Sequence, residues 1–497
     1  MPEMSLRELV KRLPVDPHLH ESLPDVTVTG AGEDSRAIEP GDIFVARQGH
    51  GVDGKQFVAQ AVERGAVAVV SDDPIDDPGV PHLTVPDAGA ATSIFASALA
   101  GDPSKRLKVL GVTGTNGKTT TAFLLRHLLQ SAGKTCGLIG TCEIDDGQTI
   151  RVATMTTPGP VELAKLLATM TSNGCDAVAM EVSSHALDQG RAAGIEFAAA
   201  GFTNLSGDHL DYHRTMDDYA SAKAKLFMNL PETAAAVVNC GDEWTRRMLE
   251  HTKGRPTPFS VGGDCHSDFA SMYVARDIVS SDTGSTFVLH TPDGHAEVRM
   301  KLVGRHNVQN AVCAAAMAGE VFGLSVHQLA TGLAGAEGAP GRLQRVEAGQ
   351  PFTILVDYAH TDDALANVLS ALKPVTKGKL RVVFGCGGDR DRAKRPRMAQ
   401  VAENFADELY ITSDNPRTED PDKILEEIVA GLTSKRPAMI EADRRAAIFA
   451  AVADCGPDDV LLIAGKGHED YQILGTEKIH FDDVEEAKAA VAGAGVS

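Results

Sequence analysis

The residues best suited to chemistry are gathered in short polar stretches: VTGTNGK, MEVSSH, TNLSGDH, DYAH, GCGGDRD, SDNPR and AGKGHE. In GVTGTNGKTTT, residues 111–121, glycines, a lysine and threonines stand between an apolar run and the helical pattern AFLLRHLLQSAG. Consecutive backbone N–H groups around Gly114–Thr119, together with the helix N-terminus, cradle a phosphate. Lys118 supplies a point charge, and Thr119 or Thr120 reaches a magnesium ion. A strict Walker loop has glycine five positions before Gly117, where this chain has Val112, so the loop is a GTNGKTT variant. A mere strand-to-helix turn has no use for a lysine set among glycines before a threonine pair.

Glu181 closes the apolar run AVAMEV, where a carboxylate is costly to bury unless a partner such as a divalent cation holds it. Asp208, His209, Asp211 and His213 cluster just after another apolar run. Their side chains can join a metal site, and they can equally cap a helix. In YASAKAKLF, residues 219–227, Lys223 and Lys225 read by themselves as solvated lysines on a helix. Further on, Arg342, Asp357, His360, Asp389 and Arg390 stand around glycines, and Arg390 to Arg397 is the most basic stretch of the chain. Arginine forks suit phosphate and carboxylate, although a solvated surface also carries such charges. SDNPR and GKGHEDYQ add Asp414, Asn415, Arg417, Lys466, His468 and Glu469, and Pro416 biases Asn415 to an extended backbone.

VTGTNGK, MEVSSH, TNLSGDH, DYAH, GCGGDRD, SDNPR and AGKGHE each begin as a candidate strand ends. Strands are expected at 26–30, 42–46 and 66–72, a helix at 91–100, and a break at GDPSK, 101–105. KVLGVTG, CGLIGT, AVAMEVSS, AAGFTNLS and AAAVVNCGD then indicate a mainly parallel sheet, and STFVLH and AEVRMKLVG an antiparallel flank. The helix 307–323 leads to a second break around Gly338, Pro340 and Gly341. TILVDYA, LRVVFGCGG, ELYITSD and VLLIAGKG alternate with helical patterns, a doubly wound signature in which ligands meet the carboxyl ends of the strands. The reading is an α/β chain of three domains, 1–104, 105–340 and 341–497.

The chain has 497 residues, 47 Lys+Arg against 68 Asp+Glu and a formal charge of -21. That balance argues against nucleic acid or an anionic membrane surface as the main partner, so any anionic ligand must be met locally. The eight cysteines show no C-x-x-C pair and no zinc spacing, and read as thiols of a reducing cytoplasm. No apolar run reaches the ~20 residues that span a bilayer. A cytoplasmic monomer without membrane insertion is expected.

GVTGTNGKTTT, MEVSSH, NLSGDHLDYH, the AK of YASAKAKLF, GRLQRV, DYAH, FGCGGDRD, DNPR and GKGHE, in this order, resemble the Mur ligase family, from DSR at 34–36 almost to the end of the chain. The resemblance implies an N-terminal α/β domain for a uridine nucleotide, a central P-loop-type ATPase domain and a C-terminal Rossmann-like domain for the incoming amino acid. It also implies a division of labour among residues. Gly114, Thr115, Asn116, Gly117, Lys118, Thr119, Thr120, Asn310, Arg342 and Asp357 would hold ATP. Thr119 and Glu181 would serve one Mg²⁺, and His209 a second. Lys223 matches a position carbamylated by carbon dioxide, which reverses its solvated reading and makes it a metal ligand. Ser35, Thr156, Thr157, Ser183, Gln189 and Arg191 match positions that hold a UDP-sugar dipeptide. Arg390, Asp414, Asn415, Pro416, Arg417, Gly465 and Glu469 match a diaminopimelate pocket. Two departures stand out: Asp362 replaces a common proline after DYAHT, and Met155 a common asparagine before the threonine pair.

The implied reaction joins meso-diaminopimelate to UDP-N-acetylmuramoyl-L-alanyl-D-glutamate with ATP. An amide made from a carboxylate in water needs a better leaving group than hydroxide, and an acyl phosphate supplies it. Lys118, Glu181, His209 and Lys223 are the expected catalytic group, acting by position and charge rather than as nucleophiles. The alternatives are a lysine-adding or folylpolyglutamate-type ligase and, outside the family, a nucleotide switch or motor. A switch would carry a strict Walker loop and no reason for DNPR or GKGHE.

Overall fold

The computed structural model describes residues 3–15, 23–49, 52–263, 265, 272–434 and 436–493. They fall into two units. One comprises residues 1–274, 290–295 and 310–332, the other 275–289, 296–309 and 333–497.

After a short antiparallel pair, Met4–Ser5 with Thr27–Val28, the first unit forms a four-stranded parallel sheet, β1 (Gly30–Gly32), β2 (Asp42–Ala46), β3 (Ala68–Ser71) and β4 (His82–Thr84), in chain order. The expected strand at 42–46 coincides with β2, and the expected helix is α1 (Ala88–Leu99), started by the Asp87 side chain, which accepts from Ala90 N–H. The break at GDPSK is real: Gly101 and Asp102 both adopt positive φ, 81° and 48°.

The larger sheet of this unit is formed by β5 (Lys108–Thr113), β6 (Cys136–Ile139), β7 (Glu143–Asp145), β8 (Ile150–Val152), β9 (Ala177–Glu181), β10 (Phe197–Phe202), β11 (Ala235–Asn239) and β12 (Arg255–Val261), in the order β8-β7-β6-β9-β5-β10-β11-β12. From β6 to β12 every neighbouring pair is parallel. β5 thus lies centrally, with helix α2 (Lys118–Ser131) leaving from its carboxyl end. β7 and β8 turn antiparallel at the opposite edge, where no alternation signalled them, because three-residue strands are too short to show a period. Val109, Ile139, Val178, Met180, Phe197, Phe202 and Phe227 fill one core beneath this sheet. The expected helix around Lys223 is α3 (Met216–Met228).

Next come β13 (Tyr273–Ser281), β14 (Gly284–Thr291) and β15 (Gly294–Met300), joined by two-residue turns, which only antiparallel neighbours permit. Helix α4 (Arg305–Phe322) follows.

In the second unit, β16 (Gln344–Val346), β17 (Thr353–Asp357), β18 (Leu380–Phe384), β19 (Glu408–Thr412), β20 (Met439–Glu441) and β21 (Val460–Ala464) form a sheet of order β16-β17-β21-β18-β19-β20. All but β16 run parallel. Helix α5 (Lys394–Phe405) packs into a core with Leu380, Val382, Phe384, Leu409 and Ile411. α6 (Arg444–Ala453) and α7 (Asp483–Gly493) enter a second core with Ile354, Val383, Leu461 and Ile463. β17, β18, β19 and β21 are buried at both faces, as near-continuous apolar runs require.

One expectation is corrected. Cys240 and Cys265 form a disulfide, so the eight cysteines are not all thiols; the other six are free. The pair has no sequence signature because tertiary structure makes it. Cys240 follows β11 directly and Cys265 lies just beyond β12, and parallel neighbours bring their carboxyl ends together. Among the described residues no helix is long and apolar enough to cross a membrane.

Phe202, fully buried at the end of β10, anchors the first core. Phe202→Ala is expected to cost ~3–5 kcal/mol, read as a lowered denaturant midpoint for the unfolding of the first unit; an unchanged midpoint would contradict the packing.

Candidate active site

The phosphate loop is set by contacts its sequence only suggests. Gly114 has φ 154°, and a Cβ there would meet Thr203 Oγ1 at 1.9 Å. Gly117, the residue before α2, has φ 85°, and its Cβ would sit 2.2 Å from Asn310 Oδ1. Both positions therefore require glycine, and Asn310 of α4 is brought against the loop. The segment after β10 fastens it: Thr203 Oγ1 donates to Asn116 O at 2.6 Å, Thr115 N–H donates to Asn204 O at 2.8 Å, and Asn116 N–H donates to Asn204 Oδ1 at 3.0 Å.

Two ammonium groups converge on one carbonyl. Lys118 Nζ donates to Gly114 O and Thr115 O, each at 2.9 Å, and Lys223 Nζ donates to Gly114 O at 2.8 Å. Lys223 is 1% exposed, with its ammonium 4.4 Å above the Tyr219 ring. Burial pushes its pKa well below the ordinary lysine range; the charge of Lys118 acts the same way and Asp208 opposes. The solvated reading holds for Lys225, which pairs with Asp188 at 2.9 Å, and not for Lys223.

Glu181, the last residue of β9, is fully buried. Its donors are neutral: Thr119 Oγ1 at 2.9 Å, Thr141 N–H at 2.7 Å and Thr141 Oγ1 at 3.1 Å. A buried carboxylate held this way beside a threonine hydroxyl is a hard oxygen donor set that suits magnesium. Among the described residues no three His, Cys, Asp or Glu side chains converge on one point. A cation would complete its shell with water and substrate oxygens, which is the habit of magnesium.

Of the acidic and histidine cluster, Asp208 and Asp211 are exposed and His213 is buried, 3.0 Å from Ser184 Oγ, so His213 serves the fold. His209 has φ 54°, is half exposed and lies 4.8 Å from the His185 ring. Burial pushes His185 down to about 4, helped by His209 and His213. His209 and His213 are lowered by the same cause.

A second group lies along the ends of β9 and the following helix. Thr157 Oγ1 donates to Glu181 O at 2.9 Å and accepts from Ser183 N–H at 3.1 Å. Thr156 Oγ1 is 3.1 Å from Thr141 Oγ1. Arg191 donates to Thr157 O at 2.9 Å and grips Gln189 Oε1 at 2.6 and 3.0 Å. Met155 Sδ is 3.9 Å from Arg191. Ser35 instead bonds Gln60 at 2.6 Å and makes no hydrogen bond to this group among the described residues.

The second unit holds the remaining candidates. Asp357, at the end of β17, accepts Leu343 N–H at 2.7 Å and Ala359 N–H at 2.8 Å; burial raises its pKa, while Arg342 opposes. Arg342 lies over the Tyr358 ring at 4.9 Å, and Arg342 Nε and His468 Nδ1 are buried without hydrogen-bond partners. Asp362 begins a helix capped by Thr361 and pairs with Arg397 at 2.8 Å. The departure from proline is thus accommodated, since an acid suits the first turn of a helix.

Around the carboxyl ends of β18, β19 and β21, Asn415 Nδ2 donates to Glu469 at 3.0 Å, and the buried Lys466 lies 3.3 Å from Glu469 and 3.9 Å from Asp414. Gly465 has φ 118°, and a Cβ there would lie 3.4 Å from Asp414 Oδ2. A Cβ on Gly387 would lie 2.9 Å from Arg417 Nη1 and 3.8 Å from Arg390 Cγ. Gly388 has no room beside Pro416 O. Arg417, at φ 51°, donates through Nη1 to Gly388 O at 2.8 Å, which leaves Nε and Nη2 of its fork without a protein acceptor among the described residues. Arg390 is exposed and, among the described residues, donates to Asp389 O. Sequence reasoning missed Thr141 and Tyr219, and the buried ion pair of Arg444 with Asp483 at 2.7 Å.

Two expectations follow. Gly117→Ala should abolish nucleotide turnover, because the added carbon collides with Asn310 and the φ is unfavourable, with a modestly lowered melting temperature and an unchanged circular dichroism spectrum; retained turnover would contradict the loop geometry. His185, His209 and His213 titrate lower in the folded chain than in the unfolded one, so at these three the unfolded state takes up protons first. Stability should fall as pH drops from about 6.5 toward 4, and His185→Gln should flatten that fall in melting temperature measured across the window.

Residues 27–98 match the Mur ligase family catalytic domain, 112–318 the Mur ligase middle domain, and 341–467 the Mur ligase glutamate ligase domain. A UDP-N-acetylmuramoyl-L-alanyl-D-glutamate–2,6-diaminopimelate ligase of Synechococcus elongatus is 45% identical, over 98% of this chain and 99% of its own. The Bacillus cereus ligase of the same name is 42% identical over 99% of both. A solved structure of a ligase so named aligns over 100% of both chains with TM-score 0.73 and 34% identity. The Acinetobacter baumannii protein MurF, at 21% identity and TM-score 0.59 over 94% of this chain and 96% of its own, shares the fold. The chain belongs to the Mur ligase family, with its three-domain α/β architecture.

Proposed function

We propose that the protein is an ATP-dependent ligase that adds meso-2,6-diaminopimelate to UDP-N-acetylmuramoyl-L-alanyl-D-glutamate, in the cytoplasmic synthesis of peptidoglycan precursors. The observation that carries the choice of amino acid is the Arg417 fork, held by Gly388 with Nε and Nη2 still open, on the same strand-end cluster as Glu469. meso-Diaminopimelate differs from lysine by a second carboxylate beside the distal amine. Arg417 receives that carboxylate, with Arg390 beside it, and Asp414 and Glu469 receive the ammonium.

The N-terminal segment 1–104 takes the uridine nucleotide, 105–340 takes ATP and the dipeptide carboxylate, and 341–497 takes the amine. Thr156, Thr157, Ser183, Gln189 and Arg191 orient the dipeptide, with Ser35 on the nucleotide. The loop Gly114–Thr120 and Lys118 hold the phosphates, and Asn310, Arg342 and Asp357 the rest of ATP. The D-glutamate γ-carboxylate attacks the γ-phosphorus; ADP leaves, and the amine opens the acyl phosphate as phosphate departs. No protein nucleophile takes part. Thr119 and Glu181 would hold one magnesium ion, and His209 with a carbamate of Lys223 a second, which would offset charge as three anionic groups meet. The depressed pKa of Lys223 favours the neutral amine, which is the form that adds to carbon dioxide. The enzyme works as a monomer without nucleic acid or membrane partners.

Amide formation and phosphate release with ATP, the UDP-sugar dipeptide and a panel of amino acids test the reading. Diaminopimelate should be strongly preferred over lysine. Arg417→Ala should lose about 10- to 100-fold in diaminopimelate use, as a charge-assisted pair of ~1.5–3 kcal/mol implies, with ATP affinity nearly unchanged. Equal use of lysine by the parent would refute the specificity.

A further inference from the structure

Arg444 is the first residue of α6, 1% exposed, and its guanidinium is spread over three elements. Nε and Nη2 donate to the two oxygens of Asp483, the first residue of α7, at 2.8 and 2.7 Å. Nη1 donates to Ser413 O at 3.3 Å and Nη2 to Ala464 O at 3.0 Å. Those carbonyls close β19 and β21, which lie on either side of β18. One planar group therefore holds backbone at the ends of both strands. The residues that follow the two carbonyls are Asp414 and Gly465, and a Cβ on Gly465 would lie 3.4 Å from Asp414 Oδ2.

Stability alone is a weak reason for such a pair, since a buried ion pair is often no better than apolar packing. Its attachment to backbone at the rim of the amine pocket is a different matter. Resting on the function proposed above, we propose that Arg444 is a positioning residue for the incoming amino acid, fixing the offset between the ends of β19 and β21 so that Asp414 and Gly465, with Lys466 and Glu469 behind them, keep their spacing. Burial opposes the charge of Arg444, but Asp483 holds it protonated, with Asp414 and Glu469 adding at longer range. A lysine would keep the charge and lose the spread, because an ammonium cannot offer four donors in one plane.

Steady-state kinetics of the full-length enzyme decide the matter, with melting temperature measured alongside. Arg444→Lys should raise KM for diaminopimelate at least tenfold and leave KM for ATP and for the UDP-sugar dipeptide within twofold. Asp483→Asn keeps the guanidinium on its carbonyls and should show the same pattern at about threefold, which serves if Arg444→Lys does not accumulate as folded protein. A lower melting temperature with all three constants unchanged, or equal rises in all three, would overturn the proposal and leave a structural ion pair. A parent that joins lysine instead of diaminopimelate would refute the substrate reading, and the positioning claim would then be read on the KM for lysine in the same variants.

Discussion

Two lysine side chains meet on one carbonyl oxygen at the head of the phosphate loop. Lys118 and Lys223 both donate to Gly114 O, one from the start of α2 and the other from the middle of α3. In a chain of formal charge -21 this is a deliberate local inversion, and most of the first unit can be read as its support. β5 delivers Gly114; the turn after β10 fixes it through Thr203 and Asn204; the absence of a side chain at Gly114 and Gly117 admits those neighbours. Burial weakens the charge on Lys223, so the loop is less cationic than its two lysines suggest until an anion or a modification alters the balance.

Glu181 is the counterpart of that inversion. A buried carboxylate would normally be paired with a cation, yet hydroxyls and one backbone N–H hold it, and Thr119 links it directly to the phosphate loop. The carboxyl ends of β5 and β9 are neighbours in the sheet, so register alone brings an anion holder and a cation holder side by side. The same rule governs the second unit, where β18, β19 and β21 end together and their loops supply a carboxylate, an arginine fork and a buried lysine. In both places the sheet does the positioning and the loops do the chemistry.

The departures from the family pattern show how local physics absorbs change. Asp362 stands where proline is common, and the helix still starts there, because Thr361 caps it and an acid at its first position meets the helix dipole and Arg397. Met155 stands where asparagine is common, and its sulfur faces Arg191, a softer neighbour than an amide.

The strands of the sheets were legible from their apolar runs, and β2, β5, β17 and β18 begin at the positions expected, because a strand buried on both faces must be continuously apolar. The phosphate loop, DNPR and GKGHE were legible as chemistry because glycine, lysine and arginine in those spacings have few other uses. Other features required the chain to be folded. Whether Lys223 was solvated or buried depended on which face of α3 met Gly114, and period alone does not choose between faces carrying small residues. His213 became a structural partner of Ser184 and not a ligand because the two meet across 29 positions of sequence. Cys240 and Cys265 paired because β11 and β12 are parallel neighbours, and Arg444 acquired its role because strand order put β18 between β19 and β21. Composition and spacing specify which groups exist and which strands carry them. Contact between residues far apart in the chain is fixed by sheet order and register, which no local pattern encodes.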